Sequence, residues 1–239
     1  MNPELTELVA VYSPQYELID GNPIGLPVQS AAAQLPQPEL TGQYTRLEKL
    51  NAERHAADLF AAFNGHEALW TYMPHGPFDE FEDFRRWVES VEDKNDPYFY
   101  AIIDRDSNKA LGVASYLRID VSARSIEVGW ITYSPQLQQS RIATEAMFLM
   151  MKFAFENGYR RYEWKCNALN EASRQAALRL GMTYEGTFRQ AVIVKGRNRD
   201  TSWFSILDSE WPTMKVNFKE WLSESNFDSS GRQLKSLKR

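Results

Sequence analysis

The spacing of hydrophobic residues changes repeatedly along this chain, and each change marks an element. Residues 51–63 bring Leu59, Phe60 and Phe63 onto one helical face, with Asn51 as N-cap. A second helix is predicted from about residue 79. Asp79 and Glu82 form its capping box, and Phe81, Phe84, Val88 and Val91 its apolar stripe. Residues 44–48, 98–104, 110–120 and 125–133 read as strands. The last two are joined by a polar turn at 122–124, and Ser134-Pro135 stops the second. A third helix, 142–157, ends at Gly158. Residues 161–167 alternate apolar Tyr162, Trp164 and Cys166 with polar Arg161, Glu163, Lys165 and Asn167, the period of a strand. A fourth helix, 172–180, stops at Gly181. Residues 190–195 and 201–208 form a hairpin across 196–199. A last helix, 211–222, gathers Trp211, Met214, Phe218, Trp221 and Leu222 on one side.

The order is therefore β–α–α–β–β–β–α–β–α–β–β–α. The strand–helix–strand unit over 125–167 requires one parallel pair with a right-handed crossover. The predicted class is α/β in the broad sense, an α+β arrangement: a mixed, mostly antiparallel sheet with helices on both faces.

Composition limits the functions open to this fold. Apolar residues are 43% of the 239 and charged residues 25%, which excludes disorder of the whole chain. Residues 1–45 hold five acids, no Lys or Arg, and six of the eleven prolines. We expect an extended Pro-rich acidic arm over 1–43, a folded domain over 44–222 and a polar, basic, fraying tail over 223–239. Outside the arm acids and bases balance, which argues against a duplex nucleic-acid binder. The longest apolar stretch, 146–155, contains Lys152 and is too short to cross a bilayer, and no secretory signal is visible. A cytoplasmic protein without membrane contact is expected. A single cysteine and three scattered histidines give no pattern for a metal, and none is expected. The arm or the final hairpin is a candidate contact for a homodimer.

Residues 130–145 carry the strongest chemical signal. They run from a strand through a polar turn into an apolar helix. The first amides of such a helix lack intrahelical partners and lie at the positive end of its dipole, so a pyrophosphate is a natural occupant. An ordinary loop is the alternative, because strand–turn–helix units are common.

Four motifs then occur in order: Glu127-Val128-Gly129-Trp130; Gln138-x-x-Arg141-x-Ala143-Thr144-Glu145-Ala146; Asn170-x-x-Ser173; and Leu180-Gly181-Met182-x-x-Glu185-Gly186. Together they resemble the GNAT superfamily of acetyl-CoA-dependent N-acetyltransferases, and within it the branch acting on ribosomal-protein N-termini. The likeness spans residues 44–211. It implies acetyl-CoA as co-substrate, with its diphosphate against Gln138, Gln139, Ser140, Arg141, Ile142, Ala143 and Thr144. The pantetheine arm would pair with Ile131, Thr132 and Tyr133 where that strand splays from 161–167, and would meet Asn170 and Ser173. Arg141 stands where the family's loop has glycine. A side chain there requires negative φ, and the guanidinium then either contacts phosphate or obstructs the site.

The resemblance also implies catalytic roles. Glu127 would take the amine proton, with a structural ion pair as the alternative. Ser173 would hydrogen-bond the leaving sulfur, with a helix-start role as the alternative. Asn170 is equally a helix cap. Some relatives place a second carboxylate where this chain has Val192. Trp70, Tyr72 and His75 would border the acceptor cleft, or else belong to the core. Cys166, at an apolar strand position, reads as core rather than as a thiol nucleophile. The acceptor is a primary amine, on a small molecule or a protein N-terminus. A catalytically idle acyl-CoA-binding module and a different acyl donor are the competing readings.

Overall fold

The structure, a computed structural model, describes residues 15–28, 33, 36–229 and 231–238. The chain divides into two units, residues 1–32 and 33–239. In the first, β1 (Tyr16–Ile19) and β2 (Asn22–Gly25) pair antiparallel. Asp20 and Gly21 make the turn with φ of 51° and 80°. Positive φ at both central positions gives the twist that a two-residue hairpin needs. Over residues 16–25 this differs from the extended arm expected, Asp-Gly being the hairpin signal there; residues 1–14, 29–32 and 34–35 of that arm lie outside the described residues.

The second unit runs β3 (Glu39–Thr41), β4 (Thr45–Lys49), α1 (Ala52–Phe63), α2 (Phe81–Val91), β5 (Tyr98–Asp104), β6 (Ala110–Asp120), β7 (Ser125–Tyr133), α3 (Arg141–Glu156), β8 (Arg161–Asn167), α4 (Glu171–Arg179), β9 (Thr183–Val194), β10 (Arg197–Leu207) and α5 (Trp211–Leu222). Eight strands form one sheet in the order β3-β4-β5-β6-β7-β8-β10-β9. Only β7 and β8 run parallel; the other neighbours are antiparallel. The mixed sheet with one parallel pair is the predicted architecture.

Strand periodicity assigns each face its helices. Leu59, Phe63, Phe84 and Val88 of α1 and α2 pack on Phe99, Ala101 and Val113. On the other face, Met147 and Met150 of α3 and Phe218 of α5 pack on Tyr100, Tyr116, Tyr162 and Phe204. Tyr162, Trp164 and Cys166 are buried at alternate positions of β8, as their spacing requires. Asn51 caps α1, its side chain accepting from Arg54 N. The capping box expected at α2 is absent: Glu80 is the N-cap and makes no side-chain bond. The hairpin strands start earlier than predicted, β9 at Thr183 and β10 at Arg197.

Both edges of the predicted domain are also revised. Glu39–Thr41 joins the sheet edge and buries Leu40. The tail folds back instead of fraying: Asn226 and Leu237 are buried, and Trp221 Nε1 donates to Gln233 Oε1.

Glu145 of α3 fastens the sheet edge to that helix. Its buried carboxylate accepts from the amides of Gln43, Tyr44 and Thr45 at 2.8, 2.7 and 2.7 Å. Gly42 is needed for this approach, since a Cβ there would lie 2.5 Å from Glu145 Cδ. Glu145→Ala strands three amides and should cost about 3 kcal/mol, read as a lower urea midpoint with an unchanged slope.

Candidate active site

The site forms where β7 leaves β8. Their parallel ladder has four pairs, from Ser125↔Arg161 to Val128↔Trp164, and then stops. The cause is a bulge. Between Ser115↔Gly129 and Val113↔Thr132, β7 carries one residue more than β6. Trp130 sits in the bulge with φ of 52°, a left-handed conformation that costs a side-chain-bearing residue about 1–2 kcal/mol. Ser115 pins it, its hydroxyl donating to Gly129 O at 3.1 Å. Beyond it Ile131, Thr132 and Tyr133 face no partner in β8, and a slot opens between the strands. Thr132 Oγ1 and Tyr133 Oη are buried without a hydrogen bond.

The loop into α3 ends this slot. Ser140 caps the helix, accepting from Ala143 N at 3.0 Å, and Thr144 N donates to Ser140 O. Among the described residues the amides of Gln139, Arg141 and Ile142 have no partner. Gln138 turns its amide group onto Tyr133 O at 3.1 Å. The left-handed residue of the loop is Gln139 (φ 56°), not Arg141, so the missing glycine causes no backbone strain at position 141. The Arg141 guanidinium lies 3.7 Å from the Tyr44 ring and 4.7 Å from that of Phe227, held by two aromatic faces. Arg179 donates to Thr144 Oγ1 at 3.2 Å beside it. Across the slot Asn170 caps α4 and accepts from Ser173 N. Ser173 Oγ accepts from Trp164 Nε1 at 3.0 Å. Cys166 is buried, and burial pushes its thiol up.

Glu127 lies on the opposite sheet face, 3% exposed. Its Oε2 receives Arg118 Nη1 at 2.6 Å and Lys165 Nζ at 2.8 Å. The pairs continue across the sheet. Lys165 meets Glu163 at 2.7 Å, and Arg161 meets Glu163 at 2.6 Å and Glu185 at 2.5 Å. Arg161 holds Glu185 below the usual carboxylate range. Burial raises Glu163, but hydrogen bonds from Arg161 and Lys165 outweigh it. Glu127 Oε1 points toward Gly129, where a Cβ would stand 3.4 Å away. Sequence reading missed Arg118 and the ladder; the polar positions of β8 were its only local trace.

The aromatic segment separates into distinct parts. Trp70 is 3% exposed and packs edge-on to Phe63 and Phe78. It belongs to the core, which corrects its assignment to the cleft. Tyr72 Oη donates to Leu169 O at 3.0 Å, linking this segment to the loop after β8. Lys195, in the β9–β10 turn, donates to Trp70 O at 3.0 Å. His75 is stacked between Trp87 (4.5 Å) and the bulge residue Trp130 (5.0 Å), with both ring nitrogens buried and unpartnered. Val192 is on the exposed hairpin opposite Arg199.

Residues 45–183 match the sequence profile of the acetyltransferase (GNAT) domain. The chain is a member of the GNAT acetyltransferase family. It is similar in structure to a GCN5-related N-acetyltransferase from Brucella melitensis, at TM-score 0.84 and 44% identity over 86% of this chain and 95% of the other. In sequence it is 27% identical to the uncharacterized N-acetyltransferase YnaD of Bacillus subtilis, over 59% of this chain and 81% of the relative. It is 29% identical to the ribosomal-protein-serine acetyltransferase of Escherichia coli, over 54% of this chain and 73% of the relative. Among the described residues of this GNAT protein, no helix is long and apolar enough to cross a membrane, and no group of His, Cys, Asp and Glu is arranged to hold a metal ion.

Burial, aided by the charge of Lys195, pushes His75 from 6.5 down to about 4. The fold thus favours the neutral ring. That contribution is complete above pH 6.5 and is lost as pH falls toward about 4. Thermal midpoints should decline across this window in the wild type and less steeply in His75→Phe.

Proposed function

We propose that this protein transfers an acetyl group from acetyl-CoA to a primary amine at the slot between β7 and β8. The carrying observation is the ladder that stops after four pairs, beside three amides without partners. These features fit the ligand. The amides of Gln139, Arg141 and Ile142, at the positive end of α3, suit a diphosphate. The free edge at residues 131–133 suits the amides of a pantetheine arm, which would add to β7 as a strand does. Asn170 and Ser173, fixed to each other at the start of α4, flank the opposite side. The obstructing reading of Arg141 has no support, because its guanidinium is engaged by Tyr44 and Phe227.

Acetyl-CoA supplies an acyl group activated as a thioester. The amine forms the new N–C bond, the C–S bond breaks, and the proton lost by nitrogen goes to Glu127 Oε1, directly or through water. Arg118 and Lys165 hold the carboxylate in place through its other oxygen. The Ser173 hydroxyl, oriented by Trp164, hydrogen-bonds the departing sulfur. Similarity to the ribosomal-protein-serine acetyltransferase supports an amine acceptor.

Two measurements test the reading. Glu127→Gln should lower turnover about 100-fold and leave calorimetric affinity for acetyl-CoA unchanged. Unaltered turnover removes Glu127 as the base. At the first helical position proline is tolerated but lacks N–H, and Ser140 before it is already extended (ψ 162°). Arg141→Pro should therefore weaken acetyl-CoA about tenfold, whereas Arg141→Ala should change it less than threefold. Equal losses in both variants would assign the effect to the guanidinium instead of the amide.

A further inference from the structure

Arg199, Thr201 and Trp203 occupy alternate positions of β10 and so share one face of the sheet. Register identifies that face. Trp203 pairs with Lys165 and Thr201 with Asn167, while Glu163, which shares the face of Lys165, pairs with Glu127. It is the face of Glu127, opposite α3. The three side chains share an unusual property: Arg199 Nε, Thr201 Oγ1 and Trp203 Nε1 are all buried without a hydrogen-bond partner. Buried donors are normally satisfied, and three orphans on one strand face call for a ligand.

Charge gives the sign of that ligand. The neighbouring ladder balances itself: Arg118, Lys165 and Arg161 oppose Glu127, Glu163 and Glu185. Arg199 stands outside it: among the described residues its side chain has no ion pair, and its Nε is buried without a hydrogen bond. Register places Arg199 two residues past the Thr201↔Asn167 pair, just beyond the end of β8 on the Glu127 face. Trp203 links the two regions, its ring covering Lys165 Nζ at 3.7 Å while that ammonium lies 2.8 Å from Glu127. A planar guanidinium on the same strand face as an indole N–H and a hydroxyl is suited to an oxyanion.

Size follows from the ties across the open end. Tyr72 bridges to Leu169 beyond the end of β8, and Lys195 bridges the β9–β10 turn to Trp70. Together they tie residues 70–72 to the loop after β8 and to the β9–β10 turn, a closed border that suits a small molecule better than a polypeptide. We infer that the acceptor is a small primary amine bearing a carboxylate or phosphate group, which Arg199, Thr201 and Trp203 bind while the amine lies at Glu127. This deepens the proposed acetyl transfer and rests on it. The diphosphate of acetyl-CoA is not the anion concerned, since its place in that proposal is the start of α3.

The test compares matched acceptors by thiol release: amino acids, their primary carboxamides, aminoalkyl phosphates and the corresponding neutral amino alcohols, with short N-terminal peptides as a further arm. The wild type should prefer the acidic member of a pair at least tenfold in kcat/KM. The preferred acid, carboxylate or phosphate, identifies the group. Arg199→Gln should raise KM for that acceptor by about 10- to 100-fold, with kcat, neutral acceptors and the KM of acetyl-CoA nearly unchanged. Arg199→Lys should recover part of the loss, which a mere folding defect would not allow. Equal use of acidic and neutral amines, or an equal loss for both in Arg199→Gln, overturns the inference while leaving acetyl transfer intact. Preference for peptides overturns the small-acceptor claim. If no amine releases thiol, acetyl transfer itself fails. Calorimetric titration with the same acids then decides the anion site: binding lost in Arg199→Gln supports it, and no binding to the wild type overturns it.

Discussion

Two parallel strands that begin as neighbours cannot remain so when one gains a residue against its other partner. That extra residue in β7 ends the β7–β8 ladder after Val128↔Trp164, and the candidate site is built on the resulting gap. Trp130 bears the strain, at φ of 52°, and its surroundings hold it there. His75 stacks on its ring, Phe99 meets it edge-on, and Ser115 bonds the preceding carbonyl. Strain of this kind persists only where neighbours over-determine it, and it tends to gather at functional sites. The helices supply the rest: α3 directs its first amides at the end of the gap, and α4 aligns Asn170 and Ser173 on the other side.

The two faces of the sheet divide the work. The α3 face is apolar, with aromatic rings packed against a helix of mainly nonpolar residues. The face of Glu127, beyond the cover of α1 and α2, is a row of alternating charges from Arg118 to Glu185. Several of these groups are almost fully enclosed, so each depends on its neighbours for compensation. Removing one charge would leave another buried and unpaired. Glu127 thus combines the two readings offered for it: its Oε2 is a structural ion-pair partner, and its Oε1 is the oxygen proposed to act on the amine.

Sequence periodicity exposes whatever repeats locally. The alternation of β8, the Asn51 cap and the apolar stripe of the last helix all lie where spacing predicts. Order and motif carried the family. Features made by distant residues were not legible. Arg118 and Glu127 meet across two strands, Glu145 reaches amides some hundred residues away, and Arg141 finds aromatic partners on separate elements. The capping box expected at Asp79 and Glu82 failed because the helix begins one turn-position later, after Glu80. Trp70 was drawn into the cleft with its aromatic neighbours, since a loop's sequence does not say which of its rings turns inward.

Amide hydrogen exchange, followed residue by residue with and without saturating acetyl-CoA, addresses the gap itself. If a ligand lies along the freed edge of β7, protection should rise at Ile131 and Tyr133 and at the amides of Gln139, Arg141 and Ile142, while the four-pair ladder from Ser125 to Val128 stays as it was. Unchanged exchange at those residues with ligand demonstrably bound, or protection confined to another surface, would contradict the account.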